Sequence, residues 1–290
     1  MKIVLGTRSS LLAVQQSESM VAFLRAAGHI VDWKRFTTHG DQWLAGPLGK
    51  EEGAGFFTKE LEEALLAKDV DLLIHSFKDV ALERPAGIVT ACVPKREDSC
   101  DWLVTRADAP EAMVIGTSSE RRLQFLTKAM PKASFTWIRG NVPTRLQKVK
   151  DGELRGEVLH GTVLAAAGLK RLGLDLTGVK VHAFTPEELL PAPAQGALLA
   201  EARAEDTELI EALRGFHDPL TLRCVTLERA VLAGIGGGCQ QPLGALAIQE
   251  ADGSFHLRAA YAVDGTIRQG ESRGHDDAAL VAEVLRGLGL

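Results

Sequence analysis

The sequence of 290 residues predicts an α/β protein with two similar lobes and a smaller α+β domain at its C-terminus. Three observations lead to this prediction. A unit of strand, Gly-Thr pair, serines and helix occurs twice along the chain. A second pair of similar segments follows in the same order, and the chain after Asp218 contains neither kind of segment.

The repeated unit begins at the N-terminus. Lys2–Leu5 is a short apolar run typical of a buried strand, and a helical pattern runs from Leu11 to Ala27, where Gly28 ends it. The loop between them is Gly6-Thr7-Arg8-Ser9-Ser10. The second copy has the same parts, which are in chain order the strand Met113–Ile115, the loop Gly116-Thr117-Ser118-Ser119 and a helix from Glu120 to about Met130, stopped by Pro131.

The second pair of segments consists of two predicted strands that end in histidine and a small residue. These are Asp71–Ser76, with His75, and Gly156–Gly161, with His160. Both follow a charged segment that is predicted to be helical. Together the two pairs indicate two related lobes of βα units around largely parallel sheets, although chance similarity between βα units stays open as an alternative.

The C-terminal part has a different pattern. It contains a predicted helix, a glycine-rich loop, two alternating strands joined through Asp252-Gly253, and a last helix. These segments are Thr221–Leu232, Gly234–Gly238, Leu243–Ile248, Phe255–Val263 and Asp276–Leu288. Because Pro186–Pro193 is typical of a connector, we expect residues 1–95 and 188–212 to form domain 1, residues 96–187 domain 2, and residues 213–290 domain 3.

Composition excludes several classes of protein. With 33 basic and 38 acidic residues the net charge is −5, which argues against general nucleic-acid binding. The four cysteines, Cys92, Cys100, Cys224 and Cys239, have neither disulfide-framework nor zinc-site spacing, so no metal is expected. No apolar run is long enough for a signal peptide or a membrane span, so we expect a cytoplasmic protein without a membrane partner.

Serines and arginines at the two helix starts indicate an anion site. Helix N-termini carry unpaired N–H groups and a partial positive charge. Ser10 and Ser119 could simply cap their helices. Arg121 and Arg122, however, oppose the helix dipole in the first turn, and Arg8 repeats this arrangement. We therefore expect an anionic ligand to supply the missing negative charge.

Further basic residues lie in loop-like segments and extend this prediction to a cationic cleft for a polyanionic small molecule. Arginine's planar fork suits carboxylates and phosphates. Neither a P-loop nor a GxGxxG motif is present, so nucleotide binding is disfavoured. The residues in question are Lys50, Arg139, Arg145 and Arg171.

Two more segments carry potential chemistry. Lys78 and Asp79 follow the predicted strand that ends at Ser76, where open α/β sheets bind ligands, although a structural ion pair is the alternative. Cys239 follows three glycines, Gly236–Gly238, which could present its thiol to a large ligand. A buried free cysteine is the alternative there.

Taken together, these segments resemble the porphobilinogen deaminases, also called hydroxymethylbilane synthases. Seven motifs occur in the family's order between Thr7 and Pro242. They are Thr7-Arg8-Ser9-Ser10, His75-Ser76-Phe77-Lys78-Asp79-Val80, Gly116-Thr117-Ser118-Ser119-Glu120-Arg121-Arg122, Arg139-Gly140-Asn141-Val142, Ala167-Gly168-Leu169-Lys170-Arg171-Leu172-Gly173, Gln195-Gly196-Ala197 and Gly237-Gly238-Cys239-Gln240-Gln241-Pro242.

The resemblance implies three domains, the first two similar to the lobes of periplasmic binding proteins. It implies a transferase that joins four porphobilinogen molecules head to tail, with loss of ammonia, on a covalent dipyrromethane cofactor made from its own substrate. Hydrolysis then releases the linear tetrapyrrole. By position, Cys239 would hold the cofactor through a thioether. The resemblance also favours a monomer.

The family's site residues can be carried over by motif. Asp79 would be the catalytic residue and would stabilise the cation that deamination leaves. Cofactor contacts are expected from Lys78, Asp79, Ser119, Arg121 and Arg122, besides Cys239. Substrate contacts are expected from Arg8, Ser10, Gln16, Lys50, Ser76, Thr117, Arg139, Arg145, Arg171 and Gln195.

The chain departs from the family's pattern at Leu11, Ala54, Ala81 and Ala194. Ala54 stands where a lysine is usual, which puts one carboxylate contact in doubt. Two other interpretations therefore stay open: a two-lobed module that binds an anion without turnover, and a degenerate relative that binds porphobilinogen but does not convert it.

Overall fold

The structure is a computed structural model that describes residues 1–38, 58–238 and 241–290. Within these ranges no helix combines the length and the apolarity needed to cross a bilayer. The strands are β1 (Lys2–Arg8), β2 (Ile30–Phe36), β3 (Leu72–Ser76), β4 (Ile88–Cys92), β5 (Asp101–Arg106), β6 (Val114–Gly116), β7 (Ser134–Thr136), β8 (Glu153–Leu154), β9 (Glu157–Val158), β10 (Gly161–Ala165), β11 (Val179–Ala183), β12 (Leu198–Arg203), β13 (Leu243–Gln249), β14 (Phe255–Val263) and β15 (Thr266–Gly274). The helices are α1 (Leu11–Ala26), α2 (Lys59–Leu66), α3 (Glu120–Ala129), α4 (Val142–Asp151), α5 (Ala166–Leu172), α6 (Thr207–Ala212), α7 (Pro219–Gly234) and α8 (Asp277–Gly287), with short 3-10 turns at Phe77–Asp79 and Arg214–Phe216.

Two five-stranded sheets share one arrangement. The first lobe has the order β2-β1-β3-β12-β4, and the second has the order β7-β6-β10-β5-β11. In each sheet the first three strands run parallel, and the fourth runs antiparallel to both of its neighbours. The α/β class and the internal repeat predicted from the sequence are therefore confirmed, and chance similarity of the βα units is excluded.

Gly6 and Gly116, the glycines of the two Gly-Thr pairs, are required for the same structural reason. A Cβ at Gly6 would lie 2.9 Å from Leu73, and a Cβ at Gly116 would lie 3.0 Å from Ile138. Both glycines thus permit a side chain of a neighbouring segment to pack over the end of the strand.

His75 and His160 were predicted to occupy equivalent positions in the two lobes, but the structure places them four residues out of register. Gly6 pairs with Leu73 in the first sheet, and Gly116 pairs with Thr162 in the second, so Ser76 corresponds to Ala165. His160 precedes β10, where its Nδ1 accepts a hydrogen bond from the Val114 amide at 2.9 Å. The segment before it forms the hairpin β8–β9, which turns at two left-handed residues, Arg155 and Gly156.

The C-terminal unit is an antiparallel sheet, β13-β14-β15, against which α7 and α8 pack. This confirms the predicted smaller α+β part, but the third strand was not expected, because Thr266–Gly274 is mostly polar and exposed. Close contact with α8 explains one of its residues. A Cβ at Gly270 would lie 2.3 Å from the Val284 carbonyl oxygen, so only glycine fits there.

Segments near residues 96 and 194 connect the two lobes, and α7 holds both of them. The Glu228 carboxylate is fully buried and accepts hydrogen bonds from Arg96 at 2.6 and 3.0 Å and from the Ala194 amide at 2.7 Å. It also accepts one from the Ala247 amide in β13 at 3.0 Å. After β11 in the second sheet, the chain returns to the first sheet as β12. The exact domain boundaries stay a prediction.

Candidate active site

A cleft of about 690 Å³ opens where β1 and β3 end, between residues of the two lobes. Open α/β sheets place ligands at such carboxyl ends of strands. Among the described residues that line it, six are cationic and one is acidic, namely Arg8, Lys78, Arg122, Arg139, Arg145, Arg171 and Asp79. The structure thus brings most of the predicted basic residues together around one cavity.

Both predicted helix starts are capped by serine. Ser10 Oγ accepts from the Ala13 amide at 3.3 Å, and Ser119 Oγ accepts from the Arg122 amide at 3.4 Å. Thr117 Oγ1 accepts from the Ser119 amide at 3.2 Å and so supports the second cap. Ser10 lines the cleft, whereas Thr117 and Ser119 do not belong to its described lining. The predicted equivalence of Arg8 with Arg121 and Arg122 required Arg8 to lie in the first turn of α1. This prediction is wrong, because Arg8 is the last residue of β1.

Arg121 and Arg122 share a counter-ion that the sequence analysis missed. Asp101 is fully buried at the start of β5, and its two carboxylate oxygens accept from Arg121 and Arg122 at 2.6 Å each. Burial acts to raise the pKa of Asp101, but the charges and hydrogen bonds of the two arginines outweigh it and hold this pKa below the ordinary range.

The expectation that a bound anion supplies the missing charge at α3 is therefore corrected. Two guanidinium groups around one carboxylate leave one net positive charge. Arg122 is part of the cleft wall, whereas Arg121 lies behind it, 4% exposed, and also donates to the Leu190 carbonyl at 2.6 Å. An acidic residue at the start of an otherwise apolar strand was the signal that could have revealed Asp101.

Gln195 lies behind the described lining of the cleft, and its predicted contact with substrate stays a prediction. It is 1% exposed and connects the two lobes. Its Oε1 accepts from Lys78 Nζ at 3.3 Å, and its Nε2 donates to Asp101 Oδ1 at 3.0 Å and to the Ser99 carbonyl at 2.8 Å. Burial lowers the pKa of Lys78; Asp79 opposes this shift, and the charges of the nearby arginines add to it.

Asp79 ends the 3-10 turn Phe77–Asp79 that follows β3, and its carboxylate is half-buried in the cleft wall. Within the described ranges no hydrogen-bond donor contacts that carboxylate, so it is available to a ligand. Beside it, Gln16 Nε2 lies 3.0 Å from Ser76 Oγ, which ties α1 to the end of β3. Both residues line the cleft, as the sequence analysis expected of site residues.

The opposite wall carries three arginines: Arg139 precedes α4, Arg145 lies within α4, and Arg171 lies in the last turn of α5, so only Arg139 occupies the loop-like position expected of all three. Arg145 Nε donates to the Gly140 carbonyl at 2.7 Å, and Arg171 donates to the Gly196 carbonyl at 2.8 Å. Burial, together with the charges of Arg122 and Arg139, lowers the pKa of Arg145 to about 10. The arginines therefore repel one another, and a bound polyanion would relieve that repulsion.

Two predicted site residues, Lys50 and Cys239, lie outside the described residues, as does Ala54. The described residues include the three glycines that precede Cys239, Gly236–Gly238, which follow α7. Gly236, Gly237 and Gly238 all have left-handed backbone, with φ of 91°, 73° and 99°. Residues with a Cβ rarely adopt this conformation, which gives the three glycines a conformational role.

Comparison with known proteins identifies the family. Residues 3–211 match the family model described as "Porphobilinogen deaminase, dipyromethane cofactor binding domain", and residues 222–286 match "Porphobilinogen deaminase, C-terminal domain". A porphobilinogen deaminase of Lysinibacillus sphaericus is 38% identical over 98% of this chain and 92% of its own. One of Rubrobacter xylanophilus is 41% identical over 95% of this chain and 90% of its own. The chain belongs to the porphobilinogen deaminase family.

Proposed function

We propose that Asp79 is the catalytic carboxylate of this enzyme and that the cations around it bind the acidic side chains of cofactor and substrate. The reaction joins four porphobilinogen molecules head to tail on dipyrromethane, releases ammonia at each step, and yields hydroxymethylbilane after hydrolysis. One observation carries the proposal. Among the described residues of the cleft, Asp79 is the one carboxylate, and six cations surround it.

The chemistry of the cleft fits dipyrromethane. Each pyrrole ring carries an acetate and a propionate, so two linked rings present four carboxylates to the arginines and lysine of the cleft. When bound, the group supplies the carbon that accepts the first substrate unit. We propose that Cys239 holds it by a thioether. Its acidic side chains would be bound by Lys78 and Arg122, which line the cleft. Ser119 and Arg121, which the family resemblance also implies, would support Arg122 from behind, Ser119 by capping α3 and Arg121 by sharing Asp101 with it.

Asp79 has the chemistry that loss of ammonia requires. As the amine leaves porphobilinogen, positive charge develops on the pyrrole ring, and a carboxylate fixed beside the ring nitrogen stabilises it. Because the carboxylate has no hydrogen-bond donor among the described side chains, it can accept one from the pyrrole N–H. Lys78 directly precedes Asp79 in the turn, and its ammonium group would bind a carboxylate of the substrate or cofactor.

The arginines of the second lobe suit the substrate's acidic groups. Arg139, Arg145 and Arg171 would bind them directly, together with Arg8 and Ser10 from the first lobe. Arginine forms bidentate pairs with carboxylates, which fixes the orientation of each ring as well as its position. Gln16 and Ser76 would complete this wall, whereas Thr117 and Gln195 act from behind it.

Replacing Arg145 should weaken substrate binding. Arg145 lines the cleft, and burial together with the charges of Arg122 and Arg139 holds its pKa below the ordinary arginine value. Its guanidinium stays charged over the pH range of an enzyme assay and can pair with a substrate carboxylate. Arg145→Gln should raise KM for porphobilinogen at pH 8 by about 10–100-fold.

Steady-state kinetics of the two proteins check this expectation. A KM of Arg145→Gln within about threefold of the native value contradicts a role for the Arg145 charge in binding.

The covalent link to Cys239 is testable by intact-mass measurement. Protein isolated from cells that make porphobilinogen should carry an excess mass equal to two linked pyrrole units. Cys239→Ala should remove the excess and abolish formation of the tetrapyrrole. Cys100→Ala, a change at a partly exposed cysteine, is the matched control and should keep both. An unmodified native chain, or an excess that survives in Cys239→Ala, refutes the assignment.

We further propose that the enzyme acts as a cytoplasmic monomer on a small-molecule substrate, without nucleic acid or a membrane as partner. The net charge of −5 supports the absence of a nucleic-acid partner. The family resemblance supports the monomer. Sedimentation of the holoenzyme at working concentration tests the oligomeric state.

A further inference from the structure

One face of α7 packs against the turn that carries Asp79. Leu222, Val225 and Arg229 are spaced three and four residues apart and so lie on the same side of this helix. Leu222 and Val225 belong to the apolar cluster that includes Phe77 and Val80, the residues that flank Lys78 and Asp79. The C-terminal unit therefore contacts the turn directly from behind the cleft.

Arg229 provides the polar part of this contact. Its guanidinium donates to the Val80 carbonyl at 3.0 Å, to the Ala81 carbonyl at 2.8 Å and, at 3.4 Å, to the Phe77 carbonyl. It also lies over the Phe77 ring, 4.8 Å from the ring centroid. The carbonyls of Val80 and Ala81 follow the helical turn and have no partner within it, and a planar guanidinium can bind several carbonyls at once.

The same helix leads to the glycines that precede Cys239. α7 ends at Gly234, and Gly236–Gly238 follow after Ile235. Glu228, the residue next to Arg229, holds the segments that connect the lobes. The same helix thus packs against the turn that carries the proposed catalytic carboxylate and precedes, in the sequence, the cysteine proposed to hold the cofactor.

We propose that Arg229 is a positioning residue that fixes the Asp79 turn relative to α7. The inference rests on the proposed role of Asp79. Through its hydrogen bonds to carbonyls of residues 77–81, Arg229 acts on the reaction by way of the backbone that carries Asp79. A misplacement of a catalytic group by about 1 Å can cost about 100-fold in rate.

The test replaces Arg229 with glutamine, which removes the charge and the forked donor. We expect kcat to fall about 10–100-fold, KM to change less than about threefold, and the cofactor mass to be retained. Hydrogen–deuterium exchange should become faster in residues 77–81, where the Val80 amide donates to the Phe77 carbonyl at 3.3 Å. Arg229→Lys keeps the charge but has fewer donors, so its kcat and its exchange should lie between those of Arg229→Gln and the native enzyme. If Arg229→Gln does not fold, Arg229→Lys provides the test.

Arg223→Gln is the matched control. Arg223 lies on the same helix, but it pairs with Asp277 at 2.8 Å and stacks on Phe255 within the C-terminal unit. It should change neither kcat nor the exchange of residues 77–81. The inference is overturned if Arg229→Gln keeps native kcat, loses activity by losing the cofactor, or leaves that exchange unchanged.

A double-mutant comparison separates this inference from the proposed function. If Arg229 acts through Asp79, its replacement should cost less in an Asp79→Glu background, where the carboxylate is already displaced, than in the native enzyme. Equal costs in both backgrounds overturn the positioning role. Near-native turnover of Asp79→Asn would instead refute the role of Asp79 itself, whatever Arg229→Gln does.

Discussion

Replacing Asp79 with asparagine should lower kcat about 1,000-fold while the protein stays folded and keeps its cofactor. At ~4 Å and an effective dielectric of ~20, one carboxylate stabilises a developing positive charge by about 4 kcal/mol, which corresponds to about three powers of ten in rate. Asparagine keeps the shape of the side chain but lacks the charge. Among the described residues no hydrogen-bond donor contacts the Asp79 carboxylate, so the substitution leaves none of those donors without a partner.

The measurement combines tetrapyrrole formation from porphobilinogen with intact mass and urea unfolding. Asp69→Asn is the control, since Asp69 is an exposed carboxylate of the same lobe that pairs with Lys34 at 3.2 Å. It should have native kcat and native stability. Turnover of Asp79→Asn within tenfold of the native rate would show that the charge is not required. The same assay on the native chain also decides whether Ala54 has made it a relative that binds without turnover.

Local signals made the βα units predictable. A glycine that accepts a neighbouring side chain, followed by a serine that caps the next helix, is contained within a few residues of sequence. Both copies, at Gly6 and Ser10 and at Gly116 and Ser119, have these features in the structure. Part of the cationic cleft was predictable for a similar reason, because Arg8 ends β1 and Arg122 lies in the first turn of α3. Arg145 and Arg171 were expected in loop-like segments, but they lie within α4 and α5.

Partners from distant segments were not predictable. Asp101 lies 20 residues before Arg121, and only the pairing of β5 with β10 brings its carboxylate to the start of α3. Arg229 is 149 residues from Val80, so its hydrogen bond depends on how the C-terminal unit packs on the first lobe. The offset between His75 and His160 arose similarly, because the β8–β9 hairpin shifts the register and composition gives no sign of that hairpin.

Asp101→Asn should lower the free energy of unfolding by about 3–5 kcal/mol at pH 7. The carboxylate is fully buried between two guanidinium groups, and removing one member of a buried ionic cluster leaves uncompensated charge in a medium that solvates it poorly. The variant also leaves Arg122 in the cleft wall without its counter-ion. We therefore expect a weaker fold and a displaced Arg122 from one substitution.

Urea unfolding at several pH values checks this expectation. The native pKa of Asp101 lies below that of an unfolded aspartate, so its ionisation stabilises the fold fully above about pH 4 and progressively less as the pH falls through the native value. The stability difference between native protein and Asp101→Asn should therefore shrink in acid. Asp108→Asn, at an exposed pair with Arg106, is the control and should change stability little at any pH. A loss below about 1 kcal/mol for Asp101→Asn at pH 7 would mean that the two arginines find other partners, and the buried cluster would then not be what joins α3 to β5.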